Sequence, residues 1–271
     1  MITRAAASRF ADLPAIRAHY LDWPGANSPV VLLNPNRTNA RVWDFVVDHS
    51  TLGNRFIAPD ARGHGLSTYP ASGYLYDDYL GDLESLLTTL AIARVHLVGA
   101  ATGGNLALLL ATRCPDLVAT LTVIDPGLSL DRVLSARVPE QMVNEFRFPS
   151  LVEARARMPF SSRWSDAMRD HFSMHSFAVD TDGSAHWRYH PPGVVETEHS
   201  LETPIWDRIA VRCPTLILRG AQSVVFSADK MAQLATIIPG AQTGAIDADH
   251  RVCQDNPQAL AVAIDRFIAA L

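Results

Sequence analysis

Residues 98–104 read Val-Gly-Ala-Ala-Thr-Gly-Gly, and their spacing is that of a mount for a nucleophile. A side chain on a tight strand-to-helix corner stands clear of the sheet, and its near neighbours must be small because the backbone crowds that turn. Gly99, Ala101 and Gly103 fill the pattern G-x-S-x-G, in which the central serine attacks a carbonyl, but here the central residue is alanine. Other reactive side chains form no recognisable group. Cys114, Cys213 and Cys253 lack C-x-x-C spacing, so neither a disulfide frame nor a zinc knuckle is expected, and they read as small buried side chains. His171, His175, His186 and His190 match no zinc pattern, so no metal is expected.

The corner needs a strand before it and a helix after it, and the flanking patterns supply both. Buried strands rich in Val, Leu and Ile are expected at 29–34, 55–60, 94–100 and 118–126. Helices are expected at 76–90, from its apolar face, and at 104–115, ended by Pro115. The alternation breaks over 131–207, a stretch rich in Arg, Trp, Phe, His and Pro with a turn at 180–184. It resumes with a strand at 214–220, a helix at 227–237, a strand at 241–247 and a closing helix at 257–271. Repeated βα units imply a mostly parallel sheet covered by helices on both faces. The irregular stretch then reads as an insertion over the carboxyl edge of the sheet, where open α/β folds place their ligands.

With the corner so placed, the chain resembles the α/β-hydrolase superfamily nearly from end to end. The likeness is carried by the 99–103 elbow, by "APDARGHGLS" at 58–67, by "LLNPNRTNARVW" at 32–43 in the place of the oxyanion loop, and by "DADHRVCQDNP" at 247–257 in the place of the catalytic-histidine loop. It implies an eight-stranded, mostly parallel sheet flanked by helices, with a core domain at 1–130 and 208–271 and a helical cap at 131–207. It also implies a catalytic role for His250 and a structural one for His64. Most of the family carries the acid after the strand matching 214–220, but Ala221–Ser227 holds no acidic residue. Some lactone and amide hydrolases of the superfamily place it one strand earlier, which here is Asp125. The alternative for Asp125 is a strand-end turn residue before Pro126. The oxyanion donors would be the N–H groups of Thr102 and Asn36, since Pro35 has none. Asn36 also resembles the halide-contacting asparagine of haloalkane dehalogenases, but the aspartate nucleophile of those enzymes is absent.

A methyl group cannot attack a carbonyl, and removing the nucleophile from such a site costs on the order of 10⁶ in kcat. Three readings of Ala101 stay open. Serine is the native residue and this chain is an inactivated form. Alternatively alanine is natural, and a His–Asp pair works as a general base in a cofactor-free dioxygenase or lyase. Or the chain is a pseudoenzyme that binds a ligand. The first fits a hydrolase of a carboxylic ester, lactone or related acyl bond, with C–C hydrolysis of ring-cleavage products as a neighbouring chemistry. No cofactor is required. Within the insertion, Phe148, Trp164 and Trp187 are candidate apolar walls, and Arg147, Arg163 and Arg188 candidate carboxylate clamps, with Arg37 beside the oxyanion loop. These favour a small aromatic, macrocyclic or acidic substrate.

The bulk composition is consistent with this. The chain has 271 residues, 48% hydrophobic and 19% charged, enough for one well-buried core. A net charge of −5 argues against nucleic acid or an anionic membrane as partner. The amino-terminal segment lacks the apolar stretch of a secretory signal, and no run approaches the ~20 apolar residues of a membrane span. The expectation is a cytoplasmic monomer or homodimer.

Overall fold

The computed structural model describes residues 2–128, 146–158, 161–200 and 203–271. The expected boundary between core and cap at 130/131 therefore lies outside the described residues. Eight strands form one sheet: β1 (Ala7–Asp12), β2 (Arg17–Trp23), β3 (Asn27–Leu33), β4 (Asn54–Pro59), β5 (Val95–Ala100), β6 (Val118–Ile124), β10 (Thr215–Gly220) and β11 (Gln242–Ile246). Their spatial order is β1-β2-β4-β3-β5-β6-β10-β11. Every pairing from β4 to β11 is parallel, while β2 runs antiparallel to both of its neighbours.

Alternation along each strand sends successive side chains into different layers. In β3, Val30 and Leu32 join a core with Trp43, Val46, Leu260, Ile264 and Phe267 on one side of the sheet. Val31 and Leu33 join a second core with Leu80, Leu87, Leu108 and Leu110 on the other. Helices α1 (Asp44–His49) and α8 (Pro257–Ala269) cover the first face; α2 (Tyr76–Thr89), α3 (Thr102–Arg113) and α7 (Ala228–Ile237) cover the second. Burial on both faces explains why the central strands read as unbroken apolar runs.

Between β6 and β10 the chain forms α4 (Leu151–Ala156), α5 (Asp166–Ser176) and α6 (Pro191–Ser200). The resemblance implies a helical cap, but the described stretch also carries strands. Strands β7 (Arg147–Phe148), β8 (Phe177–Val179) and β9 (Ala185–Trp187) make a small antiparallel sheet in the order β7-β9-β8. These strands are two or three residues long, too short for a period-2 pattern to register. The expected turn joins β8 to β9: Asp180 N–H donates to Ser184 O at 2.8 Å, and Gly183 has φ 85°. No helix among the described residues is long and apolar enough to cross a membrane.

Candidate active site

The sheet register brings the ends of β5 and β6 together at one edge. In the β5–β6 pair, Ala100 stands opposite Ile124, so Ala101 and Asp125 are the next residues of adjacent strands. Both adopt left-handed backbone, with φ of 50° and 46°. A non-glycine residue held in this region costs on the order of 1–3 kcal/mol and persists only where its surroundings fix it. Ala101 N–H donates to Ile124 O at 2.9 Å, while Asp125 N–H donates to Leu218 O at 2.8 Å.

The corner at Ala101 explains its glycines. A Cβ on Gly99 would lie 2.2 Å from Gly103 O, and one on Gly103 would lie 2.3 Å from Leu33 O. Strand β5, helix α3 and the end of β3 are thus packed backbone against backbone. The first turn of α3 is closed by Gly104 N–H on Ala101 O at 2.9 Å. The Thr102 N–H precedes that bond and belongs to the unpaired amides of a helix N-terminus.

The loop after β3 is anchored by side chains. Asn34 Nδ2 donates to Pro59 O at 2.8 Å, and its Oδ1 accepts from Trp43 Nε1 at 2.9 Å. Asn36 Nδ2 donates to Glu198 Oε1 of α6 at 2.9 Å, a carboxylate that is 6% exposed. Arg37 has φ 61°, and its N–H is shared between Asn36 Oδ1 and His64 Nε2 at 3.1 Å from each. His64 Nδ1 lies 2.9 Å from Arg62 O and its Nε2 2.9 Å from Asn36 Oδ1, and burial pushes its pKa down.

Asp125 and His250 meet although 125 residues separate them: His250 Nδ1 donates to Asp125 Oδ1 at 2.7 Å. The carboxyl group is 1% exposed and accepts two further bonds, from Ser223 Oγ to Oδ1 and from Gly220 N–H to Oδ2, each 2.7 Å. The His250 side chain is 33% exposed. With Nδ1–H committed, Nε2 carries the lone pair of the neutral ring.

His250 opens onto a cavity of about 240 Å³ that also takes in Asn36, Arg37, Phe148, Trp164 and Trp187 from the sequence reading. Arg157, Arg251, Phe172 and Tyr189, which no sequence pattern singled out, line it too. Trp187 and Tyr189 stack at 5.7 Å, and Arg251 lies 5.7 Å from the centre of the Trp164 ring. No carboxylate is on the described lining. The protein around Arg251 and, next, the charge of Arg37 pull its guanidinium below the ordinary value. Asp255 and Asp249 oppose that shift, and the Arg37 guanidinium itself lies 3.9 Å from Glu198 Oε1.

Arg188 is not brought to this cavity. It falls between Trp187 and Tyr189, and alternation along extended chain sends it the other way, where its Nε donates to Phe177 O at 2.9 Å and its side chain lines a separate cavity. Arg147 and Arg163 are also engaged elsewhere, with Asp180 at 2.6 Å and Asp247 at 3.0 Å. Ala101 and Thr102, each 9% exposed, are not on the cavity lining. Among the described residues no group of three or more His, Cys, Asp or Glu is placed to hold a metal ion.

The family model described as "Alpha/beta hydrolase family" matches residues 30–263. The 2-(acetamidomethylene)succinate hydrolase of Mesorhizobium japonicum is 31% identical over 229 residues, 81% of each chain. The mouse sn-1-specific diacylglycerol lipase ABHD11 is 28% identical, over 80% of this chain and 72% of its own. Among solved structures, E-2-(acetamidomethylene)succinate hydrolase superposes with a TM-score of 0.88 at 24% identity, covering 98% of this chain and 100% of the other. The enol-lactonase of Burkholderia xenovorans LB400 superposes at 0.75 with 22% identity, covering 96% and 100%.

Proposed function

The chain belongs to the alpha/beta hydrolase family, and on that premise we propose that it hydrolyses a carboxylic ester, lactone or related acyl bond in a small acidic molecule. The observation that carries this is the 2.7 Å bond between His250 and a buried Asp125, on the strand end adjacent to the left-handed corner at Ala101. In the active form a serine occupies position 101, and the chain described lacks only that one oxygen. The serine Oγ attacks the acyl carbon while His250 Nε2 takes its proton. Asp125 holds the imidazole tautomer and stabilises the imidazolium. The N–H groups of Thr102 and Asn36 take the charge that develops on the carbonyl oxygen. His250 then protonates the leaving group, and water repeats the sequence on the acyl-enzyme. The reaction requires no cofactor or metal.

The insertion acts as a cap that supplies the substrate pocket. Arg37, Arg157 and Arg251 favour an anionic group, and the aromatic wall of Phe148, Trp164 and Trp187 favours a planar or apolar body. The name of the 31% identical relative, a hydrolase of a succinate derivative, supports an acidic substrate.

The test is Ala101→Ser with a panel of aryl esters, half of them carrying a free carboxylate. Gain of turnover, greatest on the acidic members, is the expected result. A second reading rests on the same Asp125–His250 bond, because His250 Nε2 is a base whatever stands at 101. No gain, together with oxygen uptake or substrate proton exchange that is lost in His250→Gln, would favour that general-base reading.

A further inference from the structure

A second Ser–His–Asp arrangement stands outside the elbow site. In the β1–β2 pair, Ser8 is opposite Leu21 and Phe10 is opposite His19, which makes Ser8 and His19 diagonal neighbours on one face. Ser8 Oγ lies 2.8 Å from His19 Nε2, and His19 Nδ1 lies 2.7 Å from Asp60 Oδ2. A carboxylate only accepts, so the proton of the neutral ring is on Nδ1, and Nε2 accepts from the Ser8 hydroxyl. This is the tautomer a general base needs.

The base and its orienting acid are fixed, and the hydroxyl is open. Asp60 and His19 are each 3% exposed. Asp60 Oδ1 accepts from Ala40 N–H at 2.7 Å and Oδ2 from Leu66 N–H at 2.8 Å, while His19 N–H donates to Ser67 Oγ at 2.9 Å. Ser8 is solvent-exposed on the edge strand. All three line a cavity of about 120 Å³ with Arg41, His175 and Arg188, and it shares no lining residue with the cavity at His250. A purely structural bridge between edge strand and loop needs neither an accessible hydroxyl nor a cavity beside it. Asp60 is the one acidic residue on the described lining; of the two guanidinium groups there, Arg41 pairs with Asp44 at 3.3 Å, while Arg188 bonds a backbone carbonyl through Nε, so the Arg188 side of the cavity suits an anion.

We propose that Ser8, with His19 as base and Asp60 as its orienting acid, is a second nucleophilic site that takes the acyl group of small anionic esters. Ser8 Oγ attacks the carbonyl carbon as its proton passes to His19 Nε2. The ester C–O bond breaks, and the leaving alcohol takes the proton from His19. Water then releases the acyl group from Ser8 as a carboxylic acid. A fluorophosphonate reacts in the same way, forming the Ser8 O–P bond with loss of fluoride and the serine proton.

The proposal does not depend on the reading of residue 101, and Ala101 makes the test clean because the elbow has no hydroxyl to label. The full chain is incubated with an alkyl fluorophosphonate and, separately, with the mono-4-nitrophenyl ester of succinic acid. One phosphonyl group on the peptide holding Ser8 is expected, with loss of the label and at least a ~100-fold drop in nitrophenolate release in Ser8→Ala. In Ser8→Cys the thiol beside His19 is expected to react with iodoacetate at least ~10-fold faster than glutathione at pH 7. No adduct at Ser8, ester cleavage unchanged in Ser8→Ala, or a Ser8→Cys thiol no faster than glutathione would each overturn the proposal.

Discussion

His250 Nδ1 and Asp125 Oδ1 stand 2.7 Å apart, and the same Asp125 oxygen accepts the Ser223 hydroxyl at 2.7 Å. Asp125 is therefore held by three donors, counting Gly220 N–H on Oδ2, before any substrate arrives. Replacing one oxygen by an amide nitrogen reverses that pattern at one of these contacts and releases the imidazole tautomer. In the Ala101→Ser background, Asp125→Asn should lower kcat by about 10³–10⁴ with a smaller change in KM. Steady-state kinetics on the best aryl ester checks this; an unchanged kcat would remove Asp125 from the mechanism.

The cationic lining makes a prediction about selectivity. Arg157→Gln and Arg251→Gln, again with serine at 101, should each raise KM for a carboxylate-bearing ester about 10- to 100-fold. That corresponds to losing one charged hydrogen bond of roughly 1.5–3 kcal/mol. KM for the matching neutral methyl ester should move less than about 3-fold. Equal losses on both esters would mean that these side chains shape the pocket without reading charge.

Much of this arrangement was legible in the sequence, and the exceptions have physical causes. Strands β3 to β6 announced themselves because they are buried on both faces, whereas β1 is exposed at nearly every position and carries no apolar run. The elbow was readable because backbone crowding leaves glycine as the only fit at 99 and 103. Glu198 was not, since its bond to Asn36 spans 162 residues and no local pattern encodes it. Arg188 illustrates the opposite case. Trp187 and Tyr189 on the cavity wall, taken with a period of two, place the intervening residue on the other side, and only the length of the strand concealed that rule. Arg251 directly follows His250, so its neighbourhood was visible, but its approach to Arg37 depends on the packed loops.

Acid should weaken the fold in a defined window. Burial, aided by the nearby His171 and Arg41, pushes the His175 pKa from its ordinary 6.5 down to about 4, with Asp44 opposing. Between those values the unfolded chain binds a proton that the folded chain refuses, so stability falls as pH drops from about 6.5 to about 4. His64 shifts in the same direction. The His175 contribution should be about 1–2 kcal/mol after allowance for its partial contact with solvent. Urea unfolding at pH 7.5 and 5 should show a smaller difference in His175→Gln than in the parent chain. An identical difference would contradict this assignment.

The most direct test of the central claim is intact-mass measurement of the Ala101→Ser variant mixed for milliseconds with an acidic aryl ester. The account predicts an acyl adduct that maps to position 101, forms in a burst and disappears with turnover. It predicts no such adduct at that position in the parent chain and at least a ~10³-fold slower burst in the Ala101→Ser, His250→Gln double variant. Turnover gained over the parent chain without an adduct at 101, or a burst of adduct at 101 that survives the loss of His250, would contradict it.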